Sequence, residues 1–401
     1  MPNNDPERRS IPVSRLGERK LFPRLEARAY LNHAAISAPS AAAMEAMARW
    51  ALDFETRGAL AYGAWAEQRD VLRGDLATLI GARGDDIGFV ANTMHGVNAV
   101  AFGFPWQAGD GVVVFEGEYP TNVVPWLRAA ETFSLRVHRV AVEDFMRESI
   151  TWDSFERALE CKPRLVAVSA VQFQTGLRMP LQAMAERCHA VGAQLFVDGV
   201  QACGATPIDV TAEGVDYLAC GSHKWLMGVE GAGFLYVRPE RMDALRPTLT
   251  GGMSYQGALD LLFAGEGHLR YDRALRKDVR VFEGGMLGGP SLSALGVSVE
   301  LINAIGAKAI FDHVQRLHDA IEPELVARGF ESLRHPDLDR RSCILSFRPP
   351  AGVVASSLCT ALAERGVVCS SPDGVLRLSP HWPNASTEIP IVIDAIDAAR
   401  N

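Results

Sequence analysis

No run of about 20 consecutive apolar residues occurs in the 401-residue chain, so the sequence offers no single helix that spans a bilayer. Positive charge is not in excess either. Against 48 Asp and Glu stand 40 Lys and Arg, a formal net charge of -8, and no basic stripe is present to follow a phosphate backbone, which argues against nucleic acid as a partner. Cysteine is sparse: Cys161, Cys188, Cys203, Cys220, Cys343, Cys359 and Cys369 form an odd set without disulfide or metal-site spacing, which predicts reduced thiols. The amino terminus lacks the apolar core of a secretory signal, because Pro6, Glu18 and Glu26 interrupt a charged stretch before Leu31. These absences lead to the expectation of a soluble cytoplasmic protein with no membrane contact. What is present, 48% hydrophobic and 22% charged residues, suffices for an enzyme-sized globular fold of two domains or one large domain with a smaller lobe.

Short, almost wholly apolar runs recur along the chain: GVVVF at 111–115, LVAVSAV at 165–171, QLFV at 194–197, the segment 217–219 and GFLYV at 233–237. A helical pattern at 181–191 separates two of them, which is the signature of strand–helix–strand units; parallel strands buried on both faces explain why the runs do not alternate. Helices are expected over 41–62 and 65–80 before this region, and over 290–305 and 307–329 after it. Segments 343–347, 354–365, 367–369, 375–378 and 389–399 suggest a small α/β lobe. The expected division is an amino-terminal arm over 1–30, a large domain over 31–280 and a small carboxyl-terminal domain over 281–401.

Three strand-to-loop junctions carry chemistry. Asp198 follows the run QLFV, and the carboxyl ends of strands in an open α/β sheet form the usual ligand crevice. Lys224 follows the run at 217–219 within CGSHKWLMGVEGAGF, beside Ser222 and His223. In FVANTMHGVNAV a helix beginning near Thr93 presents free backbone N–H groups suited to a phosphate. Each has a plain alternative: a surface lysine, a turn-capping aspartate, an Asn/Thr helix cap. Together they supply an amine, an acid and an anion cradle, a combination that fits pyridoxal 5'-phosphate, since an amine forms a Schiff base and a carboxylate holds the pyridine nitrogen protonated.

The stretch FVDGVQACGATPIDVTAEGVDYLACGSHKWLMGVEGAGFLYV, with Asp198 and Lys224 26 positions apart, resembles the core of the class V aminotransferases, the cysteine desulfurase and isopenicillin N epimerase-like group. YLNHAAISAP, EGEYPTNVVPW, SAVQFQTGLRMPL, VRVFEGGMLGGPSLSAL and LRLSPHWPN are similar too, so the resemblance runs from about Tyr30 to the end. It implies an α/β fold of type I among pyridoxal phosphate enzymes: a large three-layer domain with a mainly parallel sheet and a small carboxyl-terminal lobe. By this likeness Lys224 is the Schiff-base lysine and proton shuttle, and Asp198 pairs with the pyridine nitrogen. Thr93, Met94 and His95 occupy the phosphate-binding turn, joined by His223, and by Ser222 in place of the serine that relatives carry at Gly221. Tyr119 stands where relatives stack a ring on the cofactor. Gln172, Gln174 and Gln201 are candidates for its 3'-oxygen or, equally, loop braces, and Gln201 is the best placed of the three. Arg377 matches the clamp for an amino-acid carboxylate, with Asn32 and His33 folding back toward the substrate end and Asn384 following the arginine motif.

Two departures shape the functional expectation. Segment 366–377 is too short for the mobile cysteine loop of desulfurases, and Cys369 falls in a strand-like stretch, which disfavours persulfide chemistry. Met286 stands where relatives place a phosphate-contacting threonine of the neighbouring subunit, although a homodimer is implied by the resemblance. The leading expectation is an aminotransferase-like enzyme acting on a small amino acid with a keto-acid acceptor. The alternatives are a C–S or C–β lyase, an epimerase, or a noncatalytic protein that binds the same cofactor.

Overall fold

A computed structural model describes residues 15–400. Its centre is a seven-stranded sheet in the order Ile87–Val90, Gly233–Val237, Tyr217–Gly221, Gln194–Asp198, Leu165–Ser169, Gly111–Phe115, Arg136–Val140. Neighbours are parallel except Gly233–Val237, which runs antiparallel to both of its partners. That reversal follows from its connection: a loop, with no crossover helix, returns the chain from Lys224 to Gly233.

The apolar runs are strands because they are buried on both faces. Val113, Val166, Leu195 and Val197 face one core, while Val112, Val114, Leu165, Ala167 and Phe196 face another, so successive residues serve opposite layers. One strand of the central sheet lies outside the expectation, and another forms the strand expected ahead of Thr93. Arg136–Val140 is an edge strand whose alternating Arg and His reach solvent, and Ile87–Val90 is a short strand just ahead of the Asn92 cap.

The expected helix over 41–62 is divided. Ala41–Arg57, capped by Ser40, ends at Gly58, whose φ of 51° ends the helix and admits a single turn before Tyr62–Ile80 begins. Gly289–Ile305 packs against these early helices, burying Leu292, Leu295, Val299 and Ile302 in the large core. A separate core gathers Ile321, Leu325, Leu345, Phe347, Leu376 and Ile396 within the segment expected to form the small lobe. Its sheet is antiparallel, with Leu345–Arg348 between Glu331–Ser332 and Leu376–Leu378. Ala29–Tyr30 pairs in parallel with Val367–Val368, which ties the amino-terminal segment to this lobe. Most of the expected arm over 1–30 lies outside the described residues. Among the described residues no single helix is long and apolar enough to cross a membrane.

One buried ion pair anchors the glycine-rich segment after Phe282. Glu283 accepts from Arg73 Nη1 at 2.5 Å, from Arg73 Nη2 at 2.7 Å and from the Phe89 N–H at 2.9 Å, while Arg73 also donates to the Ile87 carbonyl at 2.8 Å. Glu283→Ala leaves the nearly dry guanidinium with only the exposed Asp70 carboxylate at 3.2 Å as a counter-ion and is expected to cost about 3 kcal/mol. Urea unfolding checks this through a lowered midpoint at unchanged slope.

Candidate active site

Five strands point their carboxyl ends to the same edge of the sheet, and Thr93, Tyr119, Gln172, Asp198 and Lys224 follow or end those strands. Asp198 is the last residue of its strand and 2% exposed. Burial pushes its carboxyl up to about 6, against the stabilising Val200 N–H at 2.9 Å and the Lys224 charge. Burial likewise pushes the Lys224 amine down to about 8, with Asp198 pulling it up and Arg377 pushing it further down. Near neutrality a usable fraction is the neutral nucleophile. The amine sits 5.4 Å from the centre of the Tyr119 ring, and that ring is held edge-on by Phe173 at 5.4 Å.

The turn that carries Lys224 is fastened from three directions. Ser37 Oγ donates to the Lys224 carbonyl at 2.6 Å, His381 Nε2 donates to the Trp225 carbonyl at 2.9 Å, and Ser298 Oγ donates to the Met227 carbonyl at 2.9 Å. Met227 holds a left-handed φ of 53°, which this fastening stabilises. His381 Nδ1 accepts the Trp382 N–H at 2.7 Å, so its proton is on Nε2; burial keeps the ring neutral, pushed down to about 4.

His33 belongs to this scaffold. Because Ser37 spends its proton on Lys224, His33 Nδ1–H donates to Ser37 Oγ at 2.7 Å, and the ring is buried among Tyr30, Trp225 and His381. Its hydrogen bond thus makes His33 a support for the lysine turn.

The turn expected to take the phosphate is the start of helix Thr93–Gly103, where Asn92 accepts from the His95 N–H at 2.9 Å. A Cβ at Gly221 would stand 3.1 Å from Thr93 Oγ1 and 3.3 Å from His223 Nδ1. Thr93 and His223 thus close in on the Gly221 backbone, which places a hydroxyl and an imidazole beside the helix start, a donor set that fits a phosphate. His95 is half-buried and its Nδ1 accepts the Ala91 N–H at 3.3 Å. Met94 is 48% exposed, and its sulfur meets Asn98. The Ser222 hydroxyl donates to the Val229 carbonyl and so closes the following loop. Met286 is 75% exposed on the glycine-rich segment, beside a cavity of about 240 Å³ that His95 and Phe89 also line.

The glutamines act as braces. Gln172 donates to the Gly117 carbonyl at 2.8 Å and accepts from the Gln174 N–H, the Thr175 N–H and the Thr175 hydroxyl. Gln174 reaches the Pro372 and Asp373 carbonyls at 3.4 Å. Gln201 links the Ala34 carbonyl at 3.0 Å to Trp225 Nε1 at 2.8 Å. Of the two readings weighed for these amides, the loop brace is the one their hydrogen bonds describe. Asn384 bridges the Tyr30 carbonyl, Glu388 and the His381 N–H.

Arg377 is 4% exposed. Its Nε donates to Ser370 Oγ at 3.1 Å and its Nη1 to the Phe173 carbonyl at 2.7 Å. No carboxylate pairs with it among the described residues, and burial alone pushes it down to about 10. A buried guanidinium without a counter-ion demands an anion. Nearby, Asn32 forms a bridge with Ser379 and keeps a buried Oδ1 without a hydrogen-bond partner.

Sequence reasoning missed Glu118. Its carboxylate accepts from the Ser169 N–H at 2.6 Å and from the Ser169 hydroxyl, and Ser169 pairs with Asp198 across the sheet. Burial pushes it up to about 7, with the Asp198 charge adding to the rise. A carboxyl one residue before Tyr119, just past a wholly apolar strand, was the available signal.

Comparison with known proteins agrees with this geometry. A family profile described as "Aminotransferase class-V" matches residues 29–378. The chain is 27% identical to an uncharacterized aminotransferase, YcbU, of Bacillus subtilis, covering 95% of this chain and 96% of that protein. It is 28% identical to a probable cysteine desulfurase of Methanothermobacter thermautotrophicus, covering 94% and 96%. The solved structure of a C-DES mutant with glycine covalently linked to its PLP cofactor superposes with a TM-score of 0.86 at 20% identity, covering 94% and 98%.

Labelling Lys224 of the cofactor-free protein with trinitrobenzenesulfonate should show a half-maximal rate near pH 8. Asp198→Asn is expected to lower that midpoint, because the carboxylate favours the charged amine. A midpoint near the ordinary lysine value of about 10.4 would show that the amine is not desolvated.

Proposed function

The chain belongs to the class V aminotransferases, fold type I enzymes whose cofactor is pyridoxal 5'-phosphate and whose substrates are amino acids, and we propose that it transfers an amino group from a small α-amino acid to a keto acid. The observation that carries this reading is the pairing of a buried, easily neutralised Lys224 amine with an unpaired, buried Arg377 guanidinium, the latter suited to an α-carboxylate.

In this reading Thr93, His223 and the first N–H groups of helix Thr93–Gly103 hold the phosphate, Asp198 faces the pyridine nitrogen, and Tyr119 lies along the ring. The bound cofactor supplies an electron sink that acidifies the Cα–H of the attached amino acid. Arg377 fixes the carboxylate with the parallel bonds of its planar fork, so that Cα–H is directed at Lys224. Lys224 Nζ then takes the α-proton and holds it within the site for return. Persulfide chemistry finds little support, because Cys369 Sγ turns to Cys359 Sγ at 3.5 Å, on the small-lobe core. The family resemblance and the exposed apolar side chains Leu262, Phe263, Tyr271 and Met286 support assembly as a homodimer.

The test supplies an amino acid with and without a keto acid. Transamination gives one equivalent of product keto acid per site alone and continuous turnover with an acceptor. Sustained ammonia release without an acceptor would establish elimination in its place. Arg377→Lys is expected to lower kcat/KM for the amino acid by about tenfold or more, the equivalent of about 1.4 kcal/mol, while leaving the corresponding amine without a carboxylate unaffected. Parallel assays at equal cofactor occupancy measure this.

A further inference from the structure

Among the described residues two pairs of cysteines interact, Cys203 with Cys220 deep in the core and Cys359 with Cys369 in a partly exposed position. Cys359 lies on helix Ala355–Ala363 and Cys369 just beyond the strand Val367–Val368; their sulfurs are 3.5 Å apart and both residues are partly exposed. The others differ in kind. Cys188, Cys203, Cys220 and Cys343 are fully buried, and Cys161 is exposed without a thiol neighbour. A disulfide needs sulfurs about 2.05 Å apart, so the pair lacks roughly 1.5 Å of approach, a distance on the scale of small side-chain and backbone adjustments. The hydrogen bond from Cys369 favours a thiolate on Cys359, holding it below the ordinary thiol range, and a thiolate is the reactive form.

The residue after Cys369 links this contact to the active site. Ser370 exchanges two backbone hydrogen bonds with Arg377: its N–H donates to the Arg377 carbonyl at 3.3 Å, and its carbonyl accepts from the Arg377 N–H at 2.8 Å. Its Oγ also accepts from Arg377 Nε at 3.1 Å. Backbone and guanidinium of Arg377 are thus both registered by the neighbour of a thiol. Drawing Cys369 toward the helix pulls on that register.

We propose that Cys359 and Cys369 form an oxidation site, in which a hydroperoxide joins them as a disulfide that shifts Ser370 and weakens the hold of Arg377 on a substrate carboxylate. The second half rests on reading Arg377 as the carboxylate clamp. In the first step the Cys359 thiolate attacks the O–O bond; one oxygen stays on sulfur as a sulfenic acid and the other leaves, protonated, as water or an alcohol. In the second the Cys369 sulfur attacks the sulfenic sulfur, the S–S bond forms, and the hydroxyl departs as water with the Cys369 proton. Two thiols lose one electron each, and the peroxide takes up both. A dithiol reverses the change.

The experiment uses the holoenzyme carrying Cys161→Ser, so that the exposed thiol does not compete. After hydrogen peroxide treatment, mass mapping should show a cross-linked peptide pair, lighter by two hydrogens, joining positions 359 and 369. Dithiothreitol should reverse the link, and Cys359→Ser or Cys369→Ser should abolish it. The linked enzyme should show KM for an α-amino acid raised about tenfold, with the value for the amine lacking a carboxylate unchanged. Peroxide that yields only sulfinic or sulfonic acid, or no change, would overturn the site. A link with unaltered KM would overturn its coupling to Arg377. Failure of the clamp itself registers separately, as an Arg377→Lys substitution that leaves kcat/KM for the amino acid unchanged or lowers it equally for the amine, while the mass map still judges the link.

Discussion

Asp198 and Lys224 are opposite charges taken out of water at neighbouring strand ends, and the surrounding architecture answers the cost of that placement. Desolvation disfavours each charged form, which raises the acid and lowers the amine, while their mutual attraction opposes both shifts. Such a pair is useful chemically because neither member is locked into its ordinary state at neutral pH. Keeping the two in place demands rigid neighbours, since a small displacement would change the balance between burial and attraction. The parallel sheet fixes the acid through its strand, and hydrogen bonds from distant segments fix the turn that bears the amine.

Much of the fold was legible because runs such as GVVVF and LVAVS are apolar without alternation, a pattern that burial on both faces of a parallel sheet produces. Arg136–Val140 escaped because an edge strand half open to solvent mixes charge with apolar residues, and Gly58 escaped as a helix break because a lone glycine at one position does not declare its φ. The packing of Gly289–Ile305 on the early helices was not legible, because it pairs segments far apart in sequence.

The candidate site divided along a similar line. Asp198, Lys224 and Arg377 could be found because their chemistry and strand-end positions coincide, and the family resemblance is densest around the first two. For His33, Ser222, Gln172 and Gln201 the sequence could not show the hydrogen-bond partners, because a side chain's partner is set by three-dimensional neighbours that spacing does not encode. Gln201, for example, answers to Ala34, 167 positions away. Each of these polar groups is satisfied by the scaffold, as buried polar groups generally are, and their work is to hold the reacting groups still. Glu118 was overlooked because a glutamate beside a loop tyrosine looks like an ordinary solvated acid until Ser169 is seen to receive it.

The fastening of the lysine turn also orders events in time. Ser37, Ser298 and His381 each secure a carbonyl of the segment from Lys224 to Met227, and they come from near the start, the later middle and near the end of the chain. Loop-closure entropy must be overcome for each of these contacts, and on a ribosome that releases the chain from its amino terminus onward, His381 emerges last. The large domain can therefore acquire its sheet while the reactive amine is still loosely held. Until the segment around His381 has been translated and has docked, one of the three fastenings of the lysine turn is missing, so the turn gains its full hold late in synthesis.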